Sequence, residues 1–271
     1  MGTNDRLPLG IHTLSKHGIS INVEVDERTV EFWAMYKNDE WEKNTFAVFD
    51  AYLRQDKAYI DIGAWVGPTL LYGANKAKFA FGFEPDKAAF NLLGNNIRLN
   101  PHLIDKTSVC DYGIGSKTGK VKFYVGSEAE STSSFIPNHY NNGAYYYVDF
   151  YNFSEAVERC SINFFEINFI KIDIEGGEYT LVPTMIDYFK KMQHFPTLLI
   201  STHAPFVLTK NLDEEIKKKV FHDLTMNLFT VLDCYRYNYC NGLREIKNVY
   251  RLGTAPIFFD IVASNIQLSM C

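Results

Sequence analysis

Residues 58–84 read AYIDIGAWVGPTLLYGANKAKFAFGFE, and their reading decides the fold. Tyr59, Ile60 and Ile62 form a short apolar run, the pattern of a strand buried on both faces. Gly63 and Gly67 bracket a turn, and Pro68 suits the first turn of a following helix. Leu70, Leu71 and Ala74 then recur at helical spacing. A second strand over 81–83 ends at Glu84. A carboxylate roughly 20 positions beyond a glycine-bearing turn is how nucleotide-binding α/β folds reach ribose hydroxyls. The turn would take one end of an adenosine-containing ligand and Glu84 its sugar. The plainer alternative is a strand–helix turn that binds nothing.

The ligand is suggested by what the turn lacks. Dinucleotide turns want G-x-G-x-x-G, whose backbone amides face a pyrophosphate. Here the string Asp61-Ile62-Gly63-Ala64-Trp65-Val66-Gly67 puts Trp65 at the middle glycine and a carboxylate first. Asp61 at the ligand end of a strand would repel pyrophosphate and suits an ammonium. S-adenosylmethionine carries an ammonium and a sulfonium, so the string favours that cofactor over NAD.

The 271 residues are enough for one large domain, or one domain with an extension. A net charge of −5 argues against a protein that lives on phosphate backbones, so no DNA partner is expected. No apolar run approaches the ~20 residues that span a bilayer, and residues 1–10 lack the apolar centre of a signal peptide. Cys110, Cys160, Cys234, Cys240 and Cys271 show neither metal-ligand spacing nor a paired framework. A reducing compartment, the cytoplasm, is expected.

Ahead of the central stretch, Ile19, Ile21, Val23 and Val25 alternate, followed by Asp26-Glu27-Arg28 as a turn and then Val30 and Phe32. This predicts a hairpin beside the main sheet. Residues 41–53 read as an amphipathic helix with Phe46, Phe49 and Leu53 on one face. The expected organisation is an N-terminal hairpin and helix cap over 1–55 and a main domain over 56–271. After Glu84-Pro85, a helix over 87–99 presents Ala89, Phe90, Leu93 and Ile97. A third strand over 107–113 passes Asp111, which either accepts from an adenine amino group or caps a turn. Strands are expected near 119–125 and 144–151, the second followed by a short helix over 152–160 begun by Ser154. Between them, 126–143 is polar, rich in Ser and Asn, and long for a compact domain, so it reads as a lid.

The second informative stretch is Phe169-Ile170-Lys171-Ile172-Asp173-Ile174-Glu175-Gly176-Gly177-Glu178. It reads as a buried strand with Lys171 and Asp173 on one face, then a tight glycine exit and a helix start. A central strand that spends two positions on charges must pair them or use them. A Lys171–Asp173 ion pair, with Glu175 and Glu178 serving the helix N-terminus, would account for the charges. It would not account for three carboxylates at a strand end where open α/β sheets bind ligands. His203 follows another strand, 197–201, and is a candidate base or metal ligand. A helix over 211–228 and strands near 230–232 and 257–262 complete the chain. The fold class expected is α/β: a doubly wound, mostly parallel, seven-stranded Rossmann-like sheet with an N-terminal extension.

At these stretches the sequence resembles the FkbM family of methyltransferases. The resemblance rests on Asp61-Ile62-Gly63-Ala64 with Gly67, on Glu84-Pro85, and on Lys171-Ile172-Asp173-Ile174-Glu175-Gly176-Gly177-Glu178. Weaker likenesses are the turn at 115–119, Ser133-Ser134 and the strand ending at His203. Together they span roughly 57–205. The resemblance implies methyl transfer from S-adenosylmethionine to an oxygen, commonly a hydroxyl of a sugar or sugar-bearing molecule. Trp65 departs from the family's small or amide residue, and would crowd the cofactor's methionine end or stack over it.

On that footing Asp61 would hold the ammonium, and the turn of Gly63, Ala64, Trp65 and Gly67 would allow close approach. Glu84, with Pro85 behind it, would accept from the ribose hydroxyls, with Asp111 near the adenine. Ser133, Ser134, Glu175 and Glu178 would face the acceptor. Asp173 or His203 would take the hydroxyl proton, or Asp173, Glu175 and His203 would hold a divalent cation such as Mg or Mn that acidifies it. Competing readings are an RNA ribose or cap-type methyltransferase, and a non-catalytic cofactor- or glycan-binding module with a decayed site. An amine-methylating enzyme would usually carry a D/N/S-P-P-Y/F/W string, which Asp173-Ile174-Glu175-Gly176 is not.

Overall fold

The structure is a computed structural model and describes residues 6–124, 144–203, 213–240, 244–245 and 258–267. In chain order it runs β1 (Gly10–Lys16), β2 (Ile19–Val25), α1 (Val30–Lys37), α2 (Lys43–Tyr52), β3 (Ala58–Ile62), α3 (Pro68–Lys76), β4 (Phe79–Phe83), α4 (Lys87–Arg98) and α5 (Pro101–Ile104). There follow β5 (Thr107–Cys110), β6 (Gly113–Ile114), β7 (Gly119–Tyr124), β8 (Tyr145–Tyr151), α6 (Phe153–Arg159), β9 (Ile167–Ile172), α7 (Glu178–Met192) and β10 (Thr197–His203). The last elements are α8 (Glu214–Leu232), β11 (Tyr237–Cys240), the two-residue β12 (Arg244–Glu245) and β13 (Phe258–Ser264).

The main sheet has the order β12-β11-β13-β10-β9-β3-β4-β5. Strands β5, β4, β3, β9 and β10 are parallel, and β13 runs against both β10 and β11. Of the seven longer strands only β13 is therefore reversed, which is the expected mostly parallel sheet. From β3 the chain steps outward through β4 to β5, then crosses back to β9 and β10 on the other side of β3. The order reverses between β3 and β9, and such a reversal opens a crevice at the carboxyl ends of the strands. All five residues of β3 are buried, as its apolar run requires.

Helices close both faces. One apolar cluster joins Val23, Trp33, Phe46 and Phe49 to Tyr59, Leu71, Tyr72 and Phe169, so the N-terminal elements share a core with the central strands. On the opposite face Phe153, Leu181, Met185, Phe189 and Leu228 from α6, α7 and α8 pack on Ile60, Ile170 and Ile200. Strands β6, β8 and β7 form a separate three-stranded sheet.

Three expectations are corrected. The hairpin pairs β1 with β2, and residues 30–37 are helical instead of forming its second strand. Asp26 ends β2 by accepting from the N–H groups of Arg28 and Thr29, and buried Val30, Trp33 and Tyr36 then fall at helical spacing. Residues 230–232 close α8, and the strand comes at Tyr237–Cys240. The helix after β8 is capped by Asn152, which accepts from Glu155 N–H at 3.0 Å, and not by Ser154. The expected lid at 126–143, with Ser133 and Ser134, lies outside the described residues.

Candidate functional site

At the carboxyl end of β3 the chain turns sharply. Gly63 N–H and Ala64 N–H both donate to Phe83 O, at 3.0 and 3.1 Å. Gly63 has φ +84°, and a Cβ there would lie 1.9 Å from Asp173 O, so only glycine lets β3 pass β9 this closely. Trp65 also takes the left-handed region, at φ 48°. Its N–H donates to Glu84 Oε2 at 2.8 Å, while its ring stands edge-on to Phe32 of α1 with centroids 4.5 Å apart. The bulky departure in the turn is thus received by the N-terminal segment.

Glu84 Oε1 accepts from Asp86 N–H at 2.7 Å. Each oxygen of this buried carboxylate takes one backbone donor and keeps a second lone pair. Burial pushes its carboxyl up to about 8 against those two donors. A vicinal diol would supply the two donors that the charged form wants. Pro85 follows it, Ala64 is buried, and Asp111 is exposed just beyond β5.

The sheet register sets Asp61 beside Lys171. The Lys171 ammonium lies 3.1 Å from Asp173 Oδ2 and 3.8 Å from Asp61 Oδ1, and Thr69 Oγ1 donates to Asp61 Oδ2 at 2.7 Å. Burial works against the lysine's charge, but Asp173 and Asp61 outweigh it and hold the ammonium above its ordinary range. For Asp61 burial wins, and its carboxyl is raised despite Lys171. For Asp173 burial loses to Lys171 and His203, and its carboxyl is lowered.

His203, the last residue of β10, stands among three carboxylates. Its Nε2 is 3.7 Å from Asp173 Oδ1 and 3.9 Å from Glu175 Oε2, and its Nδ1 is 3.7 Å from Glu178 Oε1. Burial opposes the imidazolium, yet Glu178, Asp173 and Glu175 push its pKa to about 10. Burial likewise drives Glu175 up to about 8, against the pull of His203. Glu178 is fully buried; its Oε2 accepts from Gly176 N–H at 3.0 Å and its Oε1 accepts from His203 N–H. It therefore ties the start of α7 to the end of β10. Ligand atoms of Asp173, Glu175 and His203 lie within 4.8 Å of one another, close enough to hold one metal ion.

Two further carboxylates enter this end of the sheet. Asp260 on β13 accepts from Ser201 Oγ at 2.8 Å and feels Asp173, Lys171 and His203. An acid inside the apolar string 257–262 was its only signal in the sequence. Glu42, between α1 and α2, feels Lys171, Asp173 and Asp260, and its pKa is pushed to about 8 chiefly by burial. It sits in a polar stretch, and nothing in the local sequence singles it out. Cys110 and Cys160 also meet, with Sγ atoms 3.0 Å apart, although they are 50 residues apart in sequence.

Residues 61–221 match the family described as the methyltransferase FkbM domain. Among solved structures the chain is similar to the methyltransferase FkbM from Methylobacillus flagellatus KT, at 16% identity and a TM-score of 0.42, covering 76% of this chain and 49% of that one. It thus spans about half the length of that relative. It is also similar to an rRNA methylase from Streptococcus thermophilus, at 11% identity, TM-score 0.40, covering 82% of this chain and 94% of that one. A third is M. jannaschii TYW2 in complex with AdoMet, at 10% identity, TM-score 0.41, covering 94% and 84%. No curated protein matches the sequence.

Proposed function

The chain belongs to the FkbM methyltransferase family, and from that premise we propose that it transfers a methyl group from S-adenosylmethionine to a hydroxyl of a sugar or sugar-bearing molecule. The observation that carries the reading is the pairing of two chemistries at one sheet edge. Beyond β4 stands Glu84, a buried carboxylate with a second lone pair on each oxygen; at the ends of β9 and β10 stand Asp173, Glu175 and His203. The acidic net charge of −5 and the long K-I-D-I-E-G-G-E string support a sugar acceptor over a nucleic acid.

When bound, the cofactor supplies an electrophilic sulfonium methyl. The chain's own part is alignment and proton handling. Glu84 orients the ribose, and the Gly63–Gly67 turn brings backbone close to it. Asp173 is held ionised by Lys171 and His203, so it is the group ready to accept the hydroxyl proton. His203 carries its proton at neutral pH and acts as a donor that orients the acceptor oxygen. Asp173, Glu175 and His203 would also fit a divalent cation, which would acidify a bound hydroxyl and would require His203 to release its proton.

Calorimetric titration with S-adenosylhomocysteine, with magnesium or manganese and with chelator, tests the reading. Binding is expected, and a metal-dependent change in heat would move His203 from donor to ligand. With a sugar acceptor found by screening, Asp173→Ala and His203→Ala should each lower turnover roughly 100-fold or more, on the scale of general acid–base catalysis. Wild-type turnover in both variants, with cofactor affinity unchanged, would remove both residues from the reaction.

A further inference from the structure

Between α1 and α2 the chain makes a turn with two non-glycine residues in the left-handed region, Asp39 at φ 58° and Glu42 at φ 40°. Such residues persist only where their surroundings over-determine them. Here the clamp is visible. Lys16 at the end of β1 is buried, and its ammonium bonds Asp39 Oδ1 at 2.8 Å. The same ammonium lies over the rings of Tyr36 and Phe46, at 4.7 and 4.5 Å. Glu40 N–H donates to Met35 O at 2.9 Å, and Thr45 N–H to Glu42 O at 3.0 Å.

What the clamp achieves is the direction of one side chain. Glu42 Oε2 is closed off from solvent and makes no well-formed hydrogen bond among the described residues, although the Thr45 hydroxyl is near enough to act on the carboxyl. Glu42 opens α2, which packs against β10 and α3, and its carboxyl interacts electrostatically with Lys171, Asp173 and Asp260. Lys171 makes its ion pairs with Asp61 and Asp173. One ammonium therefore answers Asp61, Asp173, Glu42 and Asp260. Glu42 is not a member of the Asp173–Glu175–His203 group, so a metal held there leaves its oxygen without a ligand.

We propose that Glu42 is a further binding residue of this site, contributed by the N-terminal segment, and that its carboxylate takes the positive charge at the methionine end of the S-adenosyl ligand. The inference rests on the cofactor reading above and adds a residue and a selectivity to it. Two groups share that chemistry, the ammonium and the sulfonium, and the experiment separates them.

Wild type and Glu42→Gln are titrated calorimetrically with S-adenosylmethionine, S-adenosylhomocysteine and 5′-methylthioadenosine. The first has both cationic groups, the second only the ammonium, and the third neither. Loss of a charge-assisted bond is expected to weaken S-adenosylmethionine roughly tenfold or more, with methylthioadenosine within about twofold of wild type. An equal loss for S-adenosylhomocysteine assigns the contact to the ammonium; an unchanged S-adenosylhomocysteine assigns it to the sulfonium. Equal weakening of all three ligands would reduce Glu42 to a structural part and overturn the inference, as would no weakening at all. Wild type that binds none of them would instead defeat the cofactor reading, and this inference with it. Asp39→Ala, which loosens the clamp without touching the carboxylate, should shift the same ligand ratio in the same direction by a smaller factor.

Discussion

At the residue scale, Glu84 shows how a site can be prepared against its own solvation. The ordinary glutamate value is 4.5, and burial raises the folded value to about 8. Between these values the folded chain keeps a proton that the unfolded chain has released. Stability of the ligand-free protein should therefore fall as pH rises from about 4.5 to about 8, and be fully present below that window. Thermal melting across this range should show the decline in wild type and a shallower one in Glu84→Gln; identical slopes would mean that Glu84 does not titrate there. Gly63 makes a steric counterpart. Its missing Cβ leaves 1.9 Å to a backbone oxygen of Asp173, which cannot rotate away as a side-chain end could. Gly63→Ala should cost about 3 kcal/mol or more in denaturant unfolding, through combined clash and left-handed strain.

At the scale of elements, β9 carries the consequence of placing a lysine in the middle of a parallel sheet. Lys171 is 2% exposed and is matched to Asp61 by strand register and to Asp173 by the period of two. Lys171→Met would fill the volume but leave two buried carboxylates without their cation. Removing one partner of such a group costs about 3–5 kcal/mol, and the urea midpoint should drop accordingly. A midpoint within error of wild type would show that Asp61 and Asp173 take up protons and remain neutral in the folded state.

At the scale of the whole molecule, the N-terminal segment is joined to the sheet in two ways. Trp33, Phe46 and Phe49 share an apolar core with Tyr59, Leu71 and Phe169, and Phe32 packs on the Trp65 ring. Residues 56–271 alone would expose that face of β3, β9 and α3. We expect the fragment to lose cooperative thermal unfolding, measured by circular dichroism, and to bind apolar dyes. Among the described residues no helix is long and apolar enough to cross a membrane.

By itself the sequence determined the parallel sheet, the glycine turn, Glu84 and the Lys171–Glu178 string, because each is written in contiguous residues under one period. Strand β3 and the start of α3 are legible for that reason, and so is the gathering of charged residues at the end of β9. Where local patterns compete, the sequence misled. Alternation through Val25 suggested a strand at 30–32, but tertiary burial of Trp33 and Tyr36 selected a helix. The β-prone residues at 230–232 were absorbed into the end of α8. Only the tertiary structure decided which distant groups face one another: Asp260 with Ser201, Trp65 with Phe32, and Cys110 with Cys160. The physical reason is that periodicity fixes which face a side chain occupies, whereas meeting across a site depends on strand order and loop path.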